Sequence, residues 1–144
     1  MSAAPCAIRL TSWAADAQAL RAVRRAVFIE EQRVPEDLEW DALDAGCVHA
    51  LAEDAQRAPI GCARLLPDGH IGRVAVLAPW RGRGVGAALL LRLVDVAREQ
   101  AHARVILNAQ VQAMPFYARY GFEAEGPPFD EAGIAHQVMT RKLR

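Results

Sequence analysis

The sequence predicts an α/β (α+β) fold, a mixed and mostly antiparallel central sheet flanked by helices, in the order β-α-β-β-β-α-β-α-β. Three observations carry this. Two apolar runs, Cys47 to Ala52 and Ile60 to Leu66, are separated by a polar stretch ending in Pro59, as in an antiparallel hairpin with a long loop. A third run, Ile71 to Leu77, leads through a glycine-rich turn into the strongest amphipathic helix of the chain. A short β-branched run follows that helix and completes a strand-helix-strand unit.

The elements follow in order. Ala7 to Thr11 makes a first strand, and the spacing of Ala17, Leu20, Val23 and Val27 predicts a helix from Ala14 to Glu30, with Ser12 as its N-cap. Glu30 to Asp44 carries the acids Glu30, Glu31, Glu36, Asp37, Glu39, Asp41 and Asp44 against Arg33 alone, and Pro35 interrupts it. It reads as loop and broken helix. The hairpin follows, Pro67, Asp68 and Gly69 turn the chain, and the third strand stops before Pro79. Gly84 to Gln100 is a helix with Val85, Leu89, Leu93 and Val96 on one stripe. Arg104 to Leu107 is the next strand, Pro115 opens a helix that Gly121 ends, and Ile134 to Leu143 adds a last strand.

The 144 residues fit a single domain, 1–144, in which roughly 70% of the unfolded surface is buried. Seventeen Lys+Arg balance seventeen Asp+Glu, which removes the electrostatic footprint of a general nucleic-acid binder. No stretch approaches the ~18 apolar residues of a membrane span, and Met1 to Arg9 lacks a basic segment followed by an apolar one, so a cytoplasmic protein without nucleic-acid or membrane partners is expected. Cys6, Cys47 and Cys62 form no C-x-x-C pair and no zinc-ligand spacing. They read as buried small hydrophobes, and no metal is expected.

The chemistry concentrates between Val74 and Ala87. Glycines in the turn let successive backbone N–H groups converge, and the first helical turn adds unpaired donors and a positive dipole end. A phosphate or pyrophosphate is the natural guest, with Arg81 and Arg83 adding charge. The P-loop reading fails because the only lysine, Lys142, is nowhere near. Gly82, Gly84 and Ala87 satisfy G-x-G-x-x-[GA], but a dinucleotide site wants an acid ~20 residues on. No carboxylate lies between Glu99 and Glu123.

The pattern is also Arg81-x-x-Gly84-x-Gly86, preceded by Arg73, Val74, Ala75 and Val76, and followed after Asn108 by Phe116, Tyr117, Tyr120, Gly121 and Phe122. Jointly these resemble the GCN5-related N-acetyltransferase (GNAT) family over Ile71 to Phe122. Val27 to Pro35 and Gly133 to His136 resemble its small ElaA-like branch.

The resemblance implies the GNAT fold, acetyl-CoA as co-substrate, and an N-acetyltransferase acting on a primary amine of a small molecule or peptide by direct attack in a ternary complex. It implies that the amides of Arg81, Gly82, Arg83, Gly84, Val85, Gly86 and Ala87 hold the pyrophosphate, and that Val74, Ala75 and Val76 pair with the pantetheine arm. Val74 or Val76 would supply the oxyanion donor, Phe116 would line the cofactor, and Asn108 would help to hold the pantetheine or the parting of the two strands. Tyr117 falls at the general-acid position, where a phenol can hydrogen-bond to or protonate the departing thiolate. Read without the resemblance, Phe116, Tyr117 and Tyr120 are the apolar face of a short helix, Asn108 is a turn residue and Arg73 a solvated one.

No base is assigned. Where several family members carry a strand glutamate, this chain has Gly72 and Arg73. Glu31, His49, His70 and a water chain stay open. That vacancy keeps a second reading, an acyl-CoA-binding sensor or interaction module without turnover, and a dinucleotide-binding protein stands third. The acids of Glu30 to Asp44 either draw a cationic amine or form an ordinary solvated loop. The resemblance leaves a homodimer open.

Overall fold

The computed structural model describes residues 6–144, so the opening residues 1–5, part of the segment read above for targeting signals, lie outside the described residues. β1 (Cys6–Thr11) is followed by α1 (Trp13–Arg24), whose start is fixed by the Ser12 hydroxyl accepting from Ala15 N–H at 3.2 Å. From Arg25 to Glu31 the helix widens into a π-helical stretch, in which Gln32 N–H reaches back to Val27 C=O. After the one-turn α2 (Glu36–Glu39) come β2 (Val48–Asp54), β3 (Pro59–Leu65) and β4 (Ile71–Val76). Then α3 (Val85–Glu99), β5 (Arg104–Gln110) and α4 (Met114–Ala118) precede the short β6 (Glu123–Ala124) and β7 (Phe129–Glu131) and the long β8 (Ile134–Lys142).

β1 to β4 form one antiparallel sheet in sequence order. β5 pairs with β8, which also carries β6 and β7, in a second antiparallel group. The predicted central sheet is thus parted in two. Its halves touch through a parallel bridge between His70 and Ile106, after which β4 and β5 separate.

Both faces of the first sheet are covered, which is why β3 is buried almost throughout. On one side α3 sets Leu89, Leu90, Leu93 and Val94 against Ala63, Leu65 and Ala50. Gly61 keeps this packing close, because a Cβ would stand 3.1 Å from Leu89 Cδ1 and 3.2 Å from Val85 Cγ1, and those side chains would have to give by a few tenths of an ångström. On the other side α1 and the π-helical stretch set Leu20, Val23, Val27 and Phe28 against Leu51, Cys62 and Ala75.

β4 carries a bulge. Arg64 opposes Gly72 while Cys62 opposes Ala75, and Arg73 between them takes a left-handed φ of 50°. The extra residue re-aims the strand where it leaves β5. Arg73 is therefore not the solvated residue that the sequence suggested. Cys47 and Cys62 are buried as expected, and burial pushes the Cys62 thiol up to about 12, so neither is a ready nucleophile. Cys6 is exposed, contrary to expectation, at the end of the edge strand β1. Among the described residues no helix is long and apolar enough to cross a membrane.

Candidate active site

Where β4 and β5 part, a cleft of about 780 Å³ opens. Val74, Ala75 and Val76 line it from β4, Asn108 and Gln110 from β5, Gly86 from α3, and Phe116 and Tyr117 from α4. Past the bulge, β4 pairs with β3 on one side only, so its other backbone edge faces this opening. An edge with free N–H and C=O groups accepts an extended partner as it would another strand.

The head of α3 closes one end. Gly84 is its N-cap at φ 83°, and Gly82 takes φ 75°. Neither has a heavy atom within 4 Å of where a Cβ would stand. Ala88 N–H bonds to Gly84 C=O at 3.0 Å, so the amides of Val85, Gly86 and Ala87 before it have no partner within the helix. An anion fits there by geometry and by dipole.

The arginines of the loop are placed differently from one another. Arg81 forks onto Glu31, both contacts at 2.7 Å, and its Nε donates to Val76 C=O at 2.9 Å. It ties the loop to the π-helical stretch. Arg83 stands free of that pair, with its guanidinium 5.2 Å from the Trp80 ring centre. The Arg81 fork holds the Glu31 carboxyl below its ordinary value, which makes Glu31 a poor proton acceptor. His49 is buried on β2, outside the cleft lining; its Nε2 donates to Asp44 C=O at 2.9 Å, and burial pushes its pKa down. Of the residues weighed as a base, His70 lines the cleft without such a tie to the backbone.

Three acids of the segment, Glu39, Asp41 and Asp44, are drawn into an ion network, while Glu36 and Asp37 stay exposed as in an ordinary solvated loop. Arg24 Nε meets Glu39 at 2.8 Å and its Nη1 meets Asp44 at 2.7 Å. Arg64 meets Asp41 at 2.7 Å and Asp44 at 2.9 Å. Arg73 reaches Glu39 at 3.0 Å and Asp41 at 3.4 Å. Arg24, Glu39, Asp44 and Arg64 are buried, and the rings of Trp13 and Trp40 stand 5.5 and 5.2 Å from the Arg24 guanidinium. The network fastens α2 to the bulge of β4 and forms one wall of the cleft. Its partners lie 15 to 34 residues apart in sequence, which no local pattern reveals.

The Arg64 guanidinium holds the Asp41 carboxyl down to about 2. A depressed carboxyl contributes stability above its unfolded value near 4, and that contribution is lost as the pH falls toward 2. A melting series should therefore show the melting temperature dropping through this window, and Asp41→Asn should flatten the drop. An equally steep drop in the variant would place the acid sensitivity elsewhere.

The sequence singled out Gly133 to His136 without giving it a role. In the structure Glu131, Ala132, Ile134 and His136 line the same cleft. Among the described residues no group of three or more His, Cys, Asp or Glu side chains is placed to hold a metal.

A sheet parted beside a glycine turn at the head of a long helix is the architecture of the acyl-CoA N-acyltransferase, or GNAT, fold. Solved structures agree: an acyl-CoA N-acyltransferase from Pseudomonas aeruginosa superposes with a TM-score of 0.84 at 31% identity, covering 95% of this chain and 99% of that one. Escherichia coli ElaA superposes at 0.84 with 26% identity, covering 96% and 100%. Bacillus subtilis YyaT is 34% identical over 141 residues, 94% of each chain. Residues 14–143 match the family described as acetyltransferase (GNAT) domain, and the chain belongs to that family.

Proposed function

We propose that this chain transfers an acetyl group from acetyl-CoA to a primary amine of a small molecule or an exposed peptide amine, by direct attack in a ternary complex. The observation that carries the reading is the free edge of β4 running toward the unpaired amides at the head of α3. That is one continuous track for a pantetheine arm and a pyrophosphate. The amides of Arg81 to Ala87 hold the phosphates, Arg83 adds charge, and Arg81 braces the loop through Glu31. Val74, Ala75 and Val76 pair with the pantetheine, with Asn108 and Phe116 on the opposite wall. The bulge at Arg73 turns the adjoining backbone toward the cleft, so an N–H of Val74 or Val76 receives the oxyanion.

Burial pushes the Tyr117 phenol up to about 12. A phenol that weak stays protonated at neutral pH, and full proton transfer to a thiolate of ordinary basicity runs uphill. Tyr117 therefore acts by donating a hydrogen bond to the departing sulfur. Tyr117→Phe should lower thiol release by about 10-fold or more, with acetyl-CoA affinity little changed. Equal rates in the two proteins would remove Tyr117 from the mechanism.

The deciding experiment is thermal. Acetyl-CoA at 100 times its Kd should add about 2.7 kcal/mol of stability while NAD adds none, and a thiol-release screen over primary amines should find turnover. Stabilisation without turnover on any amine would favour the binding-module reading.

A further inference from the structure

His136 and Glu131 stand in the cleft with no part in the chemistry so far. His136 lies on β8 opposite Gln110 of β5, and Asn108 opposes Val138. Residues two apart on a strand share a face, so His136, Gln110 and Asn108 look the same way. His136 is thereby the diagonal neighbour of Asn108, roughly 7 Å away. Its side chain is 9% exposed, and the ring stacks on Phe129 of β7 at 5.9 Å.

The imidazole has a defined polarity. Nδ1 lies 2.7 Å from Ile134 C=O, and a carbonyl can only accept, so Nδ1 carries the proton. In the neutral ring Nε2 is then the lone pair. It faces Glu131 Oε2 at 3.6 Å, too far for a hydrogen bond between them. Two acceptors at this separation can both be reached at about 2.9 Å by one nitrogen bearing several protons. A primary ammonium is such a group.

We propose that Nε2 of His136 and the carboxylate of Glu131 together receive the acceptor's ammonium, and that Nε2 takes its proton before attack. This rests on the acetyltransferase reading. One N–H proton passes to Nε2, leaving the amine lone pair to form the C–N bond. As the C–S bond breaks, the second ammonium proton leaves the new amide for the CoA sulfur, and the imidazolium returns the first to solvent. Of the other ionisable groups of the cleft, Glu39, Asp41, Arg64 and Arg73 pair with one another and Arg81 with Glu31, Tyr117 is the group proposed for the sulfur, and His70 has Asp68 3.0 Å away as its charged neighbour. Glu131 is the charge that faces His136.

The test uses the full chain, acetyl-CoA, and tyramine, 1,4-diaminobutane and a lysine tetrapeptide as probes. In His136→Asn the amide N–H can replace Nδ1–H against Ile134 C=O, but nothing replaces Nε2. With a probe that turns over, this variant should keep its acetyl-CoA affinity and lose at least about 100-fold in kcat, partly restored by added imidazole. Glu131→Gln should raise the amine KM about 10-fold or more. A loss in kcat below threefold for His136→Asn overturns the proposal. If acetyl-CoA binds but no probe turns over, nitrogen-15 signals of the His136 ring decide. A proton on Nδ1 and an Nε2 signal that moves on adding diaminobutane support the dock, and a proton on Nε2 overturns it. Failure to bind acetyl-CoA sinks the acetyltransferase reading instead, and the same ring signals still judge the ammonium dock.

Discussion

Gly86→Leu is expected to lower acetyl-CoA affinity at least about 100-fold while leaving a folded protein, with calorimetric titration reading the first and a melting curve the second. The reason lies in where a side chain at 86 would go. A Cβ there meets Phe116 Cζ at 3.6 Å and Val76 Cγ2 at 3.7 Å, which is ordinary contact and strains nothing. Atoms beyond Cβ enter the cleft between β4 and α4, in the track proposed for the pantetheine. Helical backbone is no obstacle either, since exchanging glycine within a helix gains up to about 1 kcal/mol. Gly86→Ala is therefore the graded control, with near-normal affinity and a slightly raised melting temperature. Gly84→Ala behaves differently, because the left-handed φ of 83° costs a side chain about 1 kcal/mol and the loop itself shifts. Undiminished acetyl-CoA affinity in Gly86→Leu would mean that no ligand passes between Val76 and Phe116.

The turn at Gly82 to Gly86 and the helix behind it were legible because their signal is local. Glycine spacing, a stripe at helical period and Pro79 all lie within one stretch of sequence. β6 and β7 were missed because two or three residues carry no periodicity, and they exist only because β8 offers them an edge. The parting of β4 from β5 came only with the family resemblance, because nothing local in the sequence marks it. It follows from the bulge at Arg73, a non-glycine residue in a left-handed conformation, which sequence gives no reason to expect. The ion network was misread because its arginines are supplied by α1, β3 and β4 while its acids sit together. Seen along the chain, the acids have only Arg33 for company. Seen in space, Arg24, Arg64 and Arg73 neutralise Glu39, Asp41 and Asp44.

That neutrality sets the second large expectation: Arg24→Ala should lose about 3–5 kcal/mol, a substantial part of the ~5–15 kcal/mol that holds a typical domain. Arg24 is 1% exposed, and it makes the 2.8 Å contact to Glu39 and the 2.7 Å contact to Asp44 at the centre of the network. Truncation removes one positive charge and leaves two buried carboxylates with fewer partners. Asp44 keeps Arg64, whereas Glu39 keeps only the half-buried Arg73. Burial already pushes the Glu39 carboxyl above its ordinary value, and losing Arg24 pushes it further. The sign of the pH dependence then separates a lost charge from a mere cavity. A carboxyl whose folded value lies above its unfolded one binds protons more readily when folded, so its penalty shrinks as the pH falls through that window. Denaturant titrations should find Arg24→Ala less impaired at pH 5 than at pH 8, and Arg24→Ala combined with Glu39→Gln should lose that difference. A penalty independent of pH would assign Arg24 to packing between Trp13 and Trp40 instead of to the charges that fasten α2 against the cleft.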